Sequence, residues 1–248
     1  FRVIQGYMPD AYQKRLVVTA DGENILYFYY TKDSEHAYYK ITHYTENLEG
    51  GGWTEYASSQ VQGDIDKEYT ADTMTIPGFT YDETVQETVK SGILTANGLE
   101  LKLYYTRNSY PYEVRYLEEG TGKVLHAPRT DTEKYGKVIS ESAIDIDNYD
   151  KVDPTTVTIN IKIEEDVTTA RINIITFYYT EQEVTINYKV VGPAGCGVVS
   201  PDSESVKVVT GQAAGSLATP YPNFRFVGWY KDEACTQSVS GDNWLVGN

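Results

Sequence analysis

Apolar and polar residues alternate along most of this chain, which is the pattern of half-buried strands. Tyr112, Val114 and Tyr116 alternate with Glu113 and Arg115. Glu119-Gly120-Thr121-Gly122 reads as a turn, after which Lys123-Val124-Leu125 resumes a strand. Ile144 and Ile146 alternate with Asp145 and Asp147, predicting a strand that stops at Asn148-Tyr149-Asp150. Val157, Ile159, Ile161 and Ile163 alternate with Thr158, Asn160 and Lys162 as a long two-faced strand. Further on, Ile172, Ile174, Thr176 and Tyr178 share one face and Asn173, Ile175, Phe177 and Tyr179 the other. Both faces are partly apolar, which places this strand inside its sheet. Thr19-Ala20-Asp21-Gly22 and Thr95-Ala96-Asn97-Gly98 predict tight type I′ hairpins, whose central residues need positive φ. The corresponding Val167-Thr168-Thr169-Ala170 lacks glycine and predicts a looser turn. Helix signals are weak. Asp82 could cap a short helix over Thr84–Val89, although the same residues also fit a loop or strand, and Lys134–Ser142 is equally ambiguous. One or two helical turns per unit are expected.

The alternation recurs at long range. Phe28-Tyr29-Tyr30-Thr31, Leu103-Tyr104-Tyr105-Thr106 and Phe177-Tyr178-Tyr179-Thr180 lie 75 and 74 residues apart (31 to 106, 106 to 180). Tyr44, Tyr116 and Tyr188 are 72 apart each time. Gly6-Tyr7, Gly78-Phe79, Asn148-Tyr149 and Asn223-Phe224 form a third matching set, in which a flexible residue precedes an aromatic expected to plug the core. One unit has been copied in tandem. The predicted division is 1–33, the C-terminal half of a repeat; 34–108 and 109–182, two complete repeats; and 183–248, a related unit of different type. Phe1 falls mid-repeat, so the chain is expected to be a fragment of something longer. Junctions of two to four residues limit pivoting and predict a semi-rigid rod.

Composition agrees with a mainly β chain. Twenty-three tyrosines accompany only two methionines, and aromatic residues suit a pleated, half-buried surface. A hydrophobic content of 40% fits several small cores better than one large one. Twenty-one basic against 36 acidic residues give a net charge of −15 with no basic stripe, which argues against nucleic acid or an anionic membrane as partner. No apolar run is long enough for a transmembrane helix, and the N-terminus is not a signal peptide.

Little in the chain suggests catalysis. No Gly-x-Ser-x-Gly, phosphate-binding loop or Cys-His pairing is present, and units of this size leave little room for a sugar cleft between carboxylates. His36, His43 and His126 are divided between two repeats and do not supply the convergent donors a metal needs. Asp145, Asp147, Asn148 and Asp150 lack the glycine and twelfth-position glutamate of a calcium loop. They read as solvated aspartates beside inward isoleucines. Glu164-Glu165-Asp166 reads as a solvated hairpin tip. No cofactor is expected. Cys196 and Cys235, 39 residues apart, could form a disulfide or remain as buried thiols.

The tyrosines are expected to build cores and cover the seams between units rather than stack on a sugar. Trp53, beside Gly50-Gly51-Gly52 in an expected loop, is the candidate contact residue, with Tyr56 next to it.

These residues resemble known modules. Tyr112-Glu113-Val114-Arg115-Tyr116 through Val124 is similar to the start of a mucin-binding-protein (MucBP) type repeat, and Thr95-Ala96-Asn97-Gly98 through Arg107 to its end. Asn223-Phe224-Arg225-Phe226-Val227-Gly228-Trp229-Tyr230 through Cys235-Thr236 resembles the Listeria–Bacteroides module of the internalin B-repeat type. The resemblance implies an elongated array of β-grasp-like modules in a Gram-positive surface protein, extracellular, wall-attached and non-enzymatic; the chain is expected to be monomeric. Such an array is expected to act as a stalk in an adhesin, or alternatively to hold a host glycan, mucin or host protein weakly.

Overall fold

The computed structural model describes residues 1–164 and 171–239. Every regular element among them is a strand, as the alternation predicts, and the expected helical turns are absent. Over Asp82–Val89 the Asp82 Oδ1 accepts the Thr84 amide at 2.9 Å and its hydroxyl at 2.6 Å, so the would-be cap closes a local turn instead. Contacts group the chain into two compact units. One comprises Phe1–Glu113, Thr130–Ile139 and Thr158–Ile174; the other comprises Val114–Arg129, Ser140–Val157 and Ile175–Asn248.

The first eight strands are β1 (Tyr7–Pro9), β2 (Tyr30–Lys32), β3 (His36–Glu46), β4 (Trp53–Asp64), β5 (Glu68–Thr70), β6 (Phe79–Tyr81), β7 (Ser91–Ile93) and β8 (Leu99–Arg107). Four of them form a sheet in the order β4-β3-β8-β6, while β1-β2 and β5-β7 are small antiparallel pairs. β3 pairs antiparallel with β4 but parallel with β8, in register from Tyr39↔Leu99 to Thr45↔Tyr105. On β8, Leu101, Leu103 and Tyr105 are completely buried. They form a core with Ala71 and Ile76, against which Tyr39, Ile41, Tyr69, Phe79 and Tyr81 pack. Each such leucine contributes about 1.5–3 kcal/mol through burial. The edge strand β4 is mostly exposed and polar (Glu55, Ser58, Ser59, Gln60), and it is interrupted by a bulge; both features discourage pairing with another chain.

β9 (Ser109–Glu118), β10 (Val124–Lys134), β11 (Val138–Ser142), β12 (Tyr149–Lys151), β13 (Thr156–Asn160) and β14 (Ile174–Glu181) follow. The second four-stranded sheet has the order β10-β9-β14-β12. β14 is internal, as its two apolar faces predict: Ile175, Phe177 and Tyr179 are buried, as is Asn173 just before the strand. Two strand predictions need correction. Ile144–Asp147 does not form a ladder; Ile146 makes a single bridge to Tyr149 around a turn, and the strand lies earlier, at β11. β13 stops at Asn160, although inward burial continues at Ile161. Glu164 is buried, not solvated, and its Oε2 lies 3.4 Å from the side-chain Nδ2 of Asn173. Glu165, Asp166 and the expected looser turn at 167–170 lie outside the described residues. The remaining strands are β15 (Glu183–Asn187), β16 (Gly197–Ser200), β17 (Ser203–Lys207) and β18 (Leu217–Pro220), paired β15-β17 and β16-β18.

The predicted type I′ turns do not form. In Thr95–Gly98 the Gly98 amide donates to the Thr95 carbonyl at 2.9 Å, and positive φ falls on Gly98 (95°), after the central pair rather than on it. Such a turn puts the left-handed residue where the ladder restarts. Neither Asp21 nor Gly22 has positive φ; there the Asn24 side chain clasps the Thr19 amide and carbonyl, each at 2.9 Å.

Candidate functional site

The recurrent Tyr-Tyr-Thr segment closes three ladders in one register. Tyr7, Met8 and Pro9 face Lys32, Thr31 and Tyr30; Phe79, Thr80 and Tyr81 face Arg107, Thr106 and Tyr105; Tyr149, Asp150 and Lys151 face Glu181, Thr180 and Tyr179. The residue before each opening aromatic is left-handed: Gly6 (φ 76°), Gly78 (83°) and Asn148 (68°), with Asn223 (74°) as a fourth. Glycine and asparagine adopt this region at least cost. In all four, the aromatic amide donates three residues back, to Ile4, Ile76, Ile146 and Tyr221. In the first three, the carbonyl of the left-handed residue then accepts the amide just past the closing strand, from Asp33, Asn108 and Gln182, at 2.9 Å each time. The residue just past each closing strand is thus tied back to the turn that opens its partner strand. The aromatic itself does not always plug a core: Phe79 does, whereas Tyr7 and Phe224 are exposed.

The residue after Tyr-Tyr-Thr carries charge into the junction. Arg107 is almost fully buried. Its Nη2 lies 3.3 Å from Glu46 Oε1, its amide donates to Oε2 at 3.0 Å, and Nη1 reaches the Leu48 and Tyr135 carbonyls at 2.5 and 3.2 Å. Lys134 Nζ approaches the same carboxylate at 2.8 Å. Burial pushes the Glu46 carboxyl up, but Lys134 and Arg107 outweigh it and hold the group below the usual range. The Tyr135 amide donates to the Asn108 carbonyl at 2.8 Å, and its ring packs edge-on to Phe79 at 5.7 Å and against Gly78, where a Cβ would come within 2.5 Å of it. Further along, the buried Glu181 accepts the amides of Val209 and Thr210 and the Thr210 hydroxyl (2.7 Å), while Val208 donates to the Gln182 carbonyl at 2.9 Å. The alternation did not reveal these charged contacts; the position just after Tyr-Tyr-Thr was their only signal.

The two candidate contact residues are placed differently. Trp53 is not in the glycine loop. It opens β4 opposite Glu46, half-buried, and its ring meets Tyr104 edge-on at 4.9 Å while Tyr104 stacks on Tyr44 at 4.9 Å. Tyr56 is the extra residue of the β4 bulge, between Glu55 (opposite Tyr44) and Ala57 (opposite His43), and is 52% exposed. Bulges re-aim side chains in this way.

His43 Nδ1 is 2.9 Å from the Tyr105 hydroxyl, which also receives the Met74 amide at 2.8 Å. Burial lowers the His43 pKa, which favours the neutral ring beside this hydroxyl. His36 lies against Asp33 at 3.0 Å, and His126 sits edge-on to Tyr116. Among the described residues no group of His, Cys, Asp or Glu is arranged to hold a metal, and no helix is long and apolar enough to cross a membrane.

Cys196 and Cys235 stand as free thiols, the first half-buried and the second exposed. Both line a cavity of about 370 Å³ with Phe224, Phe226 and Trp229. This cavity went unseen in the sequence because its wall combines segments some 30 residues apart.

No family model matches the chain. No curated protein matches it in sequence. Solved structures do. The Bacillus anthracis TIE protein matches with TM-score 0.39 and 12% identity over 79% of this chain, which spans 47% of that protein. Mub-RV matches with TM-score 0.21 and 7% identity, covering 58% of this chain and 98% of that one. The type 2 repeat of the mucus-binding protein MUB from Lactobacillus reuteri matches with TM-score 0.21 and 11% identity, covering 58% and 100%.

Proposed function

We propose that this chain is a non-enzymatic spacer in the extracellular part of a bacterial surface adhesin, built from repeats divided at 33/34, 108/109 and 182/183. The observation that carries this reading is the junction bond made three times over, from Gly6, Gly78 and Asn148 to Asp33, Asn108 and Gln182. Repetition has preserved how a unit is closed and handed to the next, while the exposed surface varies. β3, eleven residues long, spans about 36 Å at 3.3 Å per residue, which sets the step of such a spacer.

A second reading, weak capture of a host glycan or protein, is favoured by Tyr56, an aromatic exposed on a bulge. The experiment is a glycan array and a soluble mucin titration on the whole chain, beside Trp53→Ala and Tyr56→Ala. The spacer reading expects no saturable binding. Saturable binding that disappears in Tyr56→Ala, with the β-sheet circular dichroism signal unchanged, overturns it in favour of capture.

A further inference from the structure

We propose that residues 36–107 form a force-bearing element that resists extension by shear. This rests on the spacer reading and adds a property to it. The strand that enters the module, β3, and the strand that leaves it, β8, are direct neighbours and parallel over seven residue pairs, Tyr39↔Leu99 to Thr45↔Tyr105. Chain arriving at His36 and chain departing at Arg107 therefore pull on opposite ends of two strands running the same way. Tension slides one along the other, and the interstrand hydrogen bonds are loaded together. In an antiparallel hairpin pulled at its open end, the same bonds would yield one after another.

Three observations strengthen the pair against sliding. It is internal, with β4 outside β3 and β6 outside β8. Its core face is dry at Leu101, Leu103 and Tyr105, all 0% exposed, so water cannot readily replace a stretched bond. Two side-chain contacts also cross it: Tyr44 stacks on Tyr104 at 4.9 Å on one face, and His43 meets the Tyr105 hydroxyl at 2.9 Å on the other. The two tyrosines of the recurrent signature are these crossbars. The entry and exit points are also secured, by Asp33 Oδ1 accepting the Glu35 and His36 amides (2.9 and 3.0 Å) and by Asn108 donating to Gly78 at 2.9 Å.

The test is single-molecule force spectroscopy of the full chain in a Cys196→Ser/Cys235→Ser background, with handles in two positions. Handles at both termini load the pair in shear. A handle at Glu49→Cys, an exposed turn residue just beyond β3, together with one at the C-terminus, loads the same two strands from the same end and peels them. Unfolding of residues 36–107 end to end releases about 260 Å of chain, at up to 3.6 Å per residue, less the folded span; residues 109–182 release nearly the same length, so the event is assigned by its shortening to about 210 Å when the handle at Glu49 leaves only residues 50–107 between the attachment points. The expected result is a rupture force at least about twofold higher in shear than in peeling at one loading rate, since forced unfolding follows the barrier and not the equilibrium stability. Terminal pulling of the Glu49→Cys protein should reproduce the unsubstituted trace, which controls for folding. As a second arm needing no internal handle, Tyr104→Leu should lower the terminal-pulling force without changing the released length. Equal forces in the two geometries, or an unchanged force in Tyr104→Leu, overturn the proposal and leave the spacer reading intact. Saturable mucin binding would overturn the spacer reading and leave the force measurement as it stands.

Discussion

Glu46→Ala is the sharpest perturbation of the junction around Arg107. In the native protein the Arg107 side chain is only 6% exposed and its charge is met by Glu46, itself 15% exposed. Removing the carboxylate leaves a buried guanidinium with two carbonyl acceptors, Leu48 and Tyr135, and no counter-charge. Breaking a buried pair from one side costs roughly 3–5 kcal/mol. The two carbonyls and the nearby water that reaches Lys134, 46% exposed, place this case near about 3 kcal/mol, the low end of that range. The converse change, Arg107→Met, removes the buried charge and leaves Glu46 with Lys134, so it should cost less than about 1.5 kcal/mol. Hydrogen exchange followed residue by residue separates these effects from unfolding elsewhere. At about 1.4 kcal/mol per tenfold, Glu46→Ala should speed exchange roughly a hundredfold at the Tyr135 and Asn108 amides, which bond to the Asn108 and Gly78 carbonyls. The Val208 amide, bonded to Gln182, should not change. Acceleration below about threefold, or an Arg107→Met protein worse than Glu46→Ala, would refute the claim that charge pairing holds this junction.

Other outcomes follow from the same geometry. Burial lowers the His43 pKa in the folded protein, so the unfolded chain binds the proton more readily. Stability from this group is complete above its unfolded pKa of about 6.5 and is lost as pH falls from there toward the folded value, so denaturant midpoints should drop between pH 7.5 and 5.5 and drop less in His43→Gln. Tyr105→Phe removes a hydroxyl that bonds both His43 and the Met74 amide, and should cost about 1–3 kcal/mol, read as a lower melting temperature. Gly78→Ala should destabilise more than Gly50→Ala: both positions have positive φ, costing about 1 kcal/mol, but only at Gly78 would the new methyl collide with Tyr135. Cys235 should react with iodoacetamide faster than the half-buried Cys196, measured by mass spectrometry on the native protein.

Strand type and the closing segment were legible because both depend on local periodicity. The alternation at Tyr112–Tyr116 and Asn173–Tyr179 maps directly onto a buried face and a less buried one. The four left-handed positions left a trace in the sequence, a glycine or asparagine before each aromatic, because these residues reach that conformation cheaply. Ladder limits were less visible. Ile144–Asp147 has strand periodicity, but a positive-φ turn at Asn148 folds the chain back before a partner can pair. Asp82 looked like a helix cap because the side-chain bond that starts a helix also closes a free turn. Trp53 looked like a loop tip from its glycine neighbours, yet Tyr104, some 50 residues away, draws it into β4. The Glu46–Arg107–Lys134 cluster and the parallel β3–β8 pairing are set by tertiary topology, and no window of sequence contains them.

The bond from Gly78 to Asn108, with its counterparts at Gly6 and Asn148, bears on how such a chain could lengthen. The acceptor lies about 30 residues upstream of the donor, within the same stretch of gene. A duplication cut just after Asp33, Asn108 or Gln182 therefore carries both halves of the joint together. The incoming copy brings its own exit already fastened and needs to match only the entry side of its new neighbour. Gene-level copying can then change the number of units without a matching set of compensating substitutions at every boundary.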